Sequence, residues 1–196
     1  VCSSDLLLSQ PEVVSGPPNL ILGVVNEIAS PDISWQDARP YAQAFVNLIR
    51  GTLPETMILC GTPYWSQNPH DVIGNELAGT NIVYTFHMYT AEHQMSIAEN
   101  VITCYDAGIP VWANEISPGH YDWQEWSYDF DNYMNLIHIL ESRGIPWTNW
   151  AWTIKGEALS ALYWHSQYYG PWKNSELTQG GFFIRNLIND YLVNTD

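Results

Sequence analysis

The sequence predicts an α/β fold in which a parallel sheet is covered by helices, and three observations carry that expectation. Short, continuous apolar runs alternate with segments of helical periodicity. Five such strand–helix units follow one another with no linker between them. The runs also lack the strict polar alternation of a half-solvated sheet, as expected of strands buried on both faces. A length of 196 residues suits one domain, and 46% hydrophobic with 14% aromatic residues excludes a disordered chain.

The elements follow in order. Leu20 to Val25 reads as the first strand. Ser34 with Asp37 reads as a helix N-terminus, and Tyr41, Phe45, Leu48 and Ile49 fall on one face of that helix before Gly51 stops it. Pro40 should kink this helix or begin its main body. Met57 to Cys60 is the second strand, followed by the loop GTPYWSQNPHD and a short, weak helix. Ile82 to Phe86 is the third strand. The helix behind it should bury Ile97, Val101, Cys104 and Tyr105 and end at Gly108. Ile109 to Ala113 is the fourth strand. Asp122 with Glu125 offers a capping box for a long helix placing Trp126, Phe130, Tyr133, Ile137 and Leu140 on one core-facing stripe. Pro146 to Trp152 is the fifth strand, and Phe182 to Tyr191 a closing helix.

Charge narrows the partners. Six Lys+Arg against 21 Asp+Glu give −15 at neutral pH, which repels phosphate backbones and anionic lipid. Nucleic acid and membrane are therefore not expected as partners, and no apolar run approaches the roughly 20 residues of a span. Ten tryptophans suit a neutral ligand bound by stacking. Cys2, Cys60 and Cys104 are too few and too scattered for a disulfide framework, and the six histidines show no zinc-binding pattern, so neither metal nor cofactor is expected. Cys60 and Cys104 read as small buried apolar residues. Residues 1–6 read as the translated end of a sequencing adapter and are expected to be non-native, leaving 7–196 as the natural sequence.

Polar residues gather where strands end: Asn26 and Glu27, His87 and Tyr89, Asn114 and Glu115, and Asn149. Glu27 and Glu115 each follow an apolar strand. Two carboxyl groups facing one cleft are what glycosidic cleavage needs, one to protonate the leaving oxygen and one to attack the sugar carbon.

At these residues the chain resembles glycoside hydrolase family 5, and within it the bacterial endoglucanases. Val24-Val25-Asn26-Glu27 resembles the segment that carries the acid/base, with Ile28 where the family has proline. Gly61 to Asp71 is similar to the Gly-Thr-x-x-Trp-Ser-Gln loop. Phe86-His87-Met88-Tyr89 with His93 resembles the family's His-Phe-Tyr segment. Ile109 to Glu115 fits the nucleophile strand, with Asn114 in place of a small hydroxyl residue. Trp147 to Trp152, then Lys155 and Glu157, resembles the last strand and its substrate loop.

The resemblance implies a partial (β/α)8 barrel, its five C-terminal βα units being strands 4–8, and a partial catalytic domain over 7–196. The missing N-terminal barrel units are expected in the full-length protein, and the chain alone is expected to be inactive. The implied activity is a secreted, retaining endo-β-1,4-glucanase acting on a β-linked polysaccharide or oligosaccharide. Mannan, xylan or mixed-linkage glucan remain alternative polymers, and a non-catalytic, carbohydrate-binding half barrel is the alternative from another class. Carried over residue by residue, Glu115 is the nucleophile and Glu27 the acid/base. Tyr89 hydrogen-bonds and orients Glu115, His87 positions sugar or the acid/base, and Asn26 bonds the sugar 2-hydroxyl. Trp150 stacks under a sugar ring, while Trp65, His93, Lys155 and Glu157 are outer contacts.

Overall fold

The computed structural model describes residues 19–122 and 126–193; the proposed adapter residues and Glu125 lie outside them. Five parallel strands stand in the order β1-β2-β3-β4-β5, so order in the sheet is order in the chain. They are β1 (Ile21–Val24), β2 (Met57–Cys60), β3 (Ile82–Tyr89), β4 (Val111–Ser117) and β5 (Trp147–Asn149). The helices are α1 (Trp35–Thr52), α2 (Ala98–Asp106), α3 (Phe130–Glu141) and α4 (Gln179–Val193). No helix among the described residues is long and apolar enough to cross a membrane. The chain divides into two compact units, residues 19–86 with Glu99–Trp112, and His87–Ala98 with residues 113–193.

In the first unit, β1 pairs with β2 from Ile21↔Met57 to Val24↔Cys60, and β2 with β3 from Ile58↔Ile82 to Cys60↔Tyr84. Helix α1 starts as expected: Ser34 accepts from the Asp37 backbone while Asp37 returns a bond to the Ser34 N–H. Pro40 sits inside the helix, which runs on through Gly51 to Thr52. Its buried stripe is Trp35, Ala42, Val46 and Ile49, which keeps Ile49 of the expected stripe and replaces Tyr41, Phe45 and Leu48. Tyr41 and Leu48 are exposed, and with Phe45 they line a groove of about 510 Å³ against β1. Two adjacent apolar stripes make this helix hydrophobic over more than one face, and period alone could not say which is covered. Trp35 anchors the buried stripe, its indole donating to Asn75 O at 2.8 Å and its ring meeting Tyr84 edge-on at 5.8 Å. Burial pushes the Tyr84 phenol up to about 12. Arg50 gathers loop carbonyls behind the sheet, donating to Leu53 O, Thr56 O and Thr80 O. In α2, Val101 and Cys104 are buried as expected, but Tyr105 is exposed and Ile97 precedes the helix in a 3-10 turn.

In the second unit, β4 pairs with β5 through Ala113↔Trp147 and Ile116↔Asn149, with an irregularity between them. Helix α3 begins at Phe130, not near Asp122: Asp129 caps it by accepting from Asn132 N at 2.9 Å. Trp126 therefore lies outside the helix and is exposed, its ring stacked on Tyr163 at 6.2 Å. Tyr133, Leu136, Ile137 and Leu140 are fully buried. Strand β5 is shorter than expected and α4 starts three residues earlier.

Candidate active site

In the first unit the site residues hang on an unusual turn. β1 ends at Val24, and Val25 takes a left-handed backbone, φ 55°, that a β-branched residue seldom adopts. The turn fits because Gly61 has no side chain: a Cβ there would lie 2.4 Å from Val25 O and 2.5 Å from Asn26 O. The Gly61 N–H instead donates to Val25 O at 2.8 Å. Ser66 Oγ donates to Asn26 O at 2.9 Å and is held by Thr62 N and Thr85 Oγ1, while Thr62 Oγ1 reaches Thr85 O. This buried polar knot fixes the segment bearing exposed Asn26 and half-buried Glu27.

The same knot shapes the 61–71 loop. Tyr64, Trp65 and Ser66 all have positive φ, between 52° and 57°. Consecutive left-handed non-glycine residues are costly, and such conformations cluster where a side chain must be presented. Here they turn Trp65 outward, its ring edge-on to Tyr64 at 5.0 Å. Thr62 and Ser66 stand at the Thr and Ser of the Gly-Thr-x-x-Trp-Ser-Gln loop, but the sequence assigned them no role and did not point to Thr85 at all.

In the second unit, β3 and β4 run further than expected and carry the polar residues within the strands. Glu115 is the fifth residue of β4, not a residue beyond its end, and is 6% exposed. The Tyr89 phenol donates to Glu115 Oε1. His87 is buried with Nδ1 3.8 Å from Glu115 Oε2, and its Nε2 lies 3.1 Å from Asn114 Oδ1. His93 stacks on the Tyr89 ring, and its Nδ1 accepts from the Tyr89 backbone N–H at 2.9 Å. Burial holds the His93 imidazole below its ordinary pKa, with Glu92 pulling upward and His120 downward. His120 itself pairs with Glu92. Asn114 enters the cluster as the orienting partner of His87.

At the end of β5, Trp150 donates its backbone N–H to Ile116 O and leaves its ring exposed, before a cis peptide to Ala151. Asn149 accepts from Tyr133 of α3 at 3.1 Å. Lys155 reaches Glu157 at 3.2 Å, so the buried member of this pair is the carboxylate and the cation stands in solvent. This unit thus gathers Glu115, Tyr89, His87, His93 and Asn114 into one cluster, with Lys155 and Glu157 as a separate pair. Cys60 and Cys104 are buried free thiols, both pushed up to about 12 by burial.

The chain is similar to known proteins in sequence and in fold. The chain is 28% identical over 178 residues to endoglucanase A of Evansella cellulosilytica, covering 88% of this chain and 36% of that one. It is 32% identical over 171 residues to an endoglucanase of Clostridium saccharobutylicum, covering 87% and 38%. It spans little more than a third of the length of these two relatives. Its fold matches a protein from Cytophaga hutchinsonii at a TM-score of 0.86, with 24% identity, over 99% of this chain and 64% of the other. It also matches the catalytic domain of a Thermobifida fusca endoglucanase at 0.82, with 22% identity, over 95% and 63%. The family profile described as cellulase (glycosyl hydrolase family 5) matches residues 12–156, and the chain belongs to that family.

Proposed function

We propose that this chain is the C-terminal five-unit part of the (β/α)8 catalytic barrel of a secreted, retaining endo-β-1,4-glucanase. The observation that carries the reading is the buried Glu115 carboxylate, held by the Tyr89 phenol and flanked by His87 in a cellulase-family chain. A carboxylate pinned at one oxygen keeps the other free to attack, which suits a nucleophile. In the proposed reaction Glu115 attacks the anomeric carbon while Glu27 gives its proton to the departing glycosidic oxygen. The bond to the leaving sugar breaks as the glycosyl–Glu115 ester forms. Glu27, now ionised, takes a proton from water, which attacks the ester and restores Glu115. This reading requires the two carboxyl groups about 5–5.5 Å apart.

His87, oriented by Asn114, helps position the sugar. Asn26 bonds its 2-hydroxyl, Trp150 stacks under the ring, and Trp65, His93, Lys155 and Glu157 make outer contacts. Polymers do not enter cells, so the reading places the enzyme outside them. Turnover needs the upstream barrel units, whose residues complete the pocket.

The test is covalent trapping in the complete enzyme. A 2-fluoro cellobioside with an activated leaving group should accumulate as an ester on Glu115, seen as a mass shift on its peptide. Glu115→Gln should remove both the adduct and the release of reducing ends from soluble cellulose derivatives, while polymer still binds. An adduct elsewhere, or turnover by Glu115→Gln close to the parent's, overturns the assignment.

A further inference from the structure

Between β5 and α4 the chain makes a long loop whose tip serves no packing purpose. Tyr168 and Tyr169 are 81% and 86% exposed, more than any other large hydrophobic side chain described, and Trp164 beside them is 73% exposed. Such rings ordinarily mark a mobile, incidental surface or a binding one. The hydrogen bonding argues for the second.

Glu176 closes the loop from below. Its carboxylate accepts from Gln167 N at 3.2 Å and Lys173 N at 2.8 Å, and its carbonyl accepts from Tyr163 N and Ser166 Oγ. A bridge between Leu162 and Leu177 pairs the loop's two ends. Trp172 supports the tip: its indole donates to Gln167 O at 2.7 Å, and a Cβ on Gly170 would sit 3.1 Å from its ring, so backbone rests directly on the indole face. The two tyrosines thus stand on a fixed frame, which presents ring area at little conformational cost on binding.

Direction and charge say what the frame receives. Trp172 meets Trp152 at 5.5 Å, and Trp152 stands two residues after Trp150, so the frame under the tip is joined to the segment that follows β5. From Ser166 to Trp172 the tip has no charged residue, in a chain of net charge −15. A charged partner finds no opposite charge between Ser166 and Trp172, and an aliphatic one would leave the phenol hydroxyls and the Gln167 amide unsatisfied. A pyranose chain, apolar on its C–H faces and hydroxylated at its rim, matches both. We propose that Tyr168 and Tyr169 form an outer platform for a long β-linked glucan, continuing the substrate path that starts at Trp150; the proposal rests on the glucanase reading for the ligand's class.

The experiment is a binding isotherm of the 196-residue chain on acid-swollen cellulose. The double variant Tyr168→Ala/Tyr169→Ala should bind about tenfold more weakly, since two stacking contacts are removed. Tyr168→Phe/Tyr169→Phe keeps the rings and should stay within about twofold of the parent. Circular dichroism spectra and melts should coincide for all three, as expected for side chains that pack against little. Equal binding by parent and alanine variant overturns the platform, and so does a parent that ignores cellulose. A parent that dimerises through the two tyrosines, with glucan binding untouched, also overturns it in favour of a second copy as occupant. Failure of the hydrolase reading looks different. There Glu115→Gln leaves turnover of the complete enzyme intact, while binding still depends on Tyr168 and Tyr169.

Discussion

Tyr89 on β3 and Glu115 on β4 are joined by a phenol-to-carboxylate hydrogen bond. Both residues lie within their strands, and the second carboxylate oxygen of Glu115 faces His87 Nδ1 at 3.8 Å. Removing the hydroxyl leaves the ring and its stack with His93 in place. Tyr89→Phe should therefore lower kcat of the complete enzyme about 10- to 100-fold, which is what a hydrogen bond to a charged group is worth at about 1.5–3 kcal/mol. KM and the melting temperature should change little. A kcat near the parent's value would show that this bond does not orient the reacting oxygen.

Glu27 stands beyond β1 on a turn locked to Gly61, and its proposed work is proton transfer. Glu27→Ala should damage turnover of substrates with poor leaving groups far more than of activated aryl glycosides, which need no proton. Azide should partly rescue the activated reaction and give a glycosyl azide of retained configuration. Equal losses on both substrates, or an inverted azide, would contradict the role.

Gly61 makes a direct stability prediction. A methyl group there meets Val25 O and Asn26 O well inside contact distance. Gly61→Ala should cost about 1–3 kcal/mol in denaturant unfolding, as overpacked sites do. A change within about 0.5 kcal/mol, usual for surface substitutions, would mean the two segments separate freely.

His93 links stability to pH. Burial holds its folded pKa below the ordinary 6.5, and its Nδ1 must stay unprotonated to accept from Tyr89 N–H. The unfolded chain takes up a proton first as pH falls. This contribution is therefore fully present above about pH 6.5 and is lost as pH drops through the lower, folded value. His93→Gln keeps an acceptor without titrating. Between about pH 7.5 and 5.5 the parent's melting temperature should fall further than the variant's. Parallel profiles would remove His93 from the account.

Much of this architecture was readable because apolar runs of four to six residues survive in the sequence as strands. Their ends were less readable. The run Ile109–Ala113 stops at Asn114, yet β4 continues, and Val111, Ala113 and Glu115 share its buried face through the two-residue period. A buried carboxylate breaks the hydrophobic signal at the very position that matters chemically. On α1 the periodicity was present but doubled, and only the fold chose Trp35, Ala42, Val46 and Ile49 as the covered stripe. Asp129 was hidden as a cap because Asp122 offered an equally good local pattern upstream. The left-handed residues Tyr64 and Trp65 have no turn chemistry in their side chains, so nothing in those two announces the conformation. His87, Tyr89 and Glu115 stand out in the sequence because each is polar within a strand of otherwise largely apolar residues, whereas Glu27 stands beyond the end of β1.

The Glu176 carboxylate ties its loop to itself rather than to the sheet. A segment closed in this way is a separable cassette. Tyr168 and Tyr169, exposed at the tip, can be exchanged with the frame of Gln167, Gly170, Trp172 and Glu176 intact, and those changes leave the strand that carries Glu115 untouched. Selection on such a surface is uncoupled from selection on the reaction. On the proposed reading, the tip is where a laboratory library, or natural drift, would retune polymer preference without first having to rebuild a catalyst.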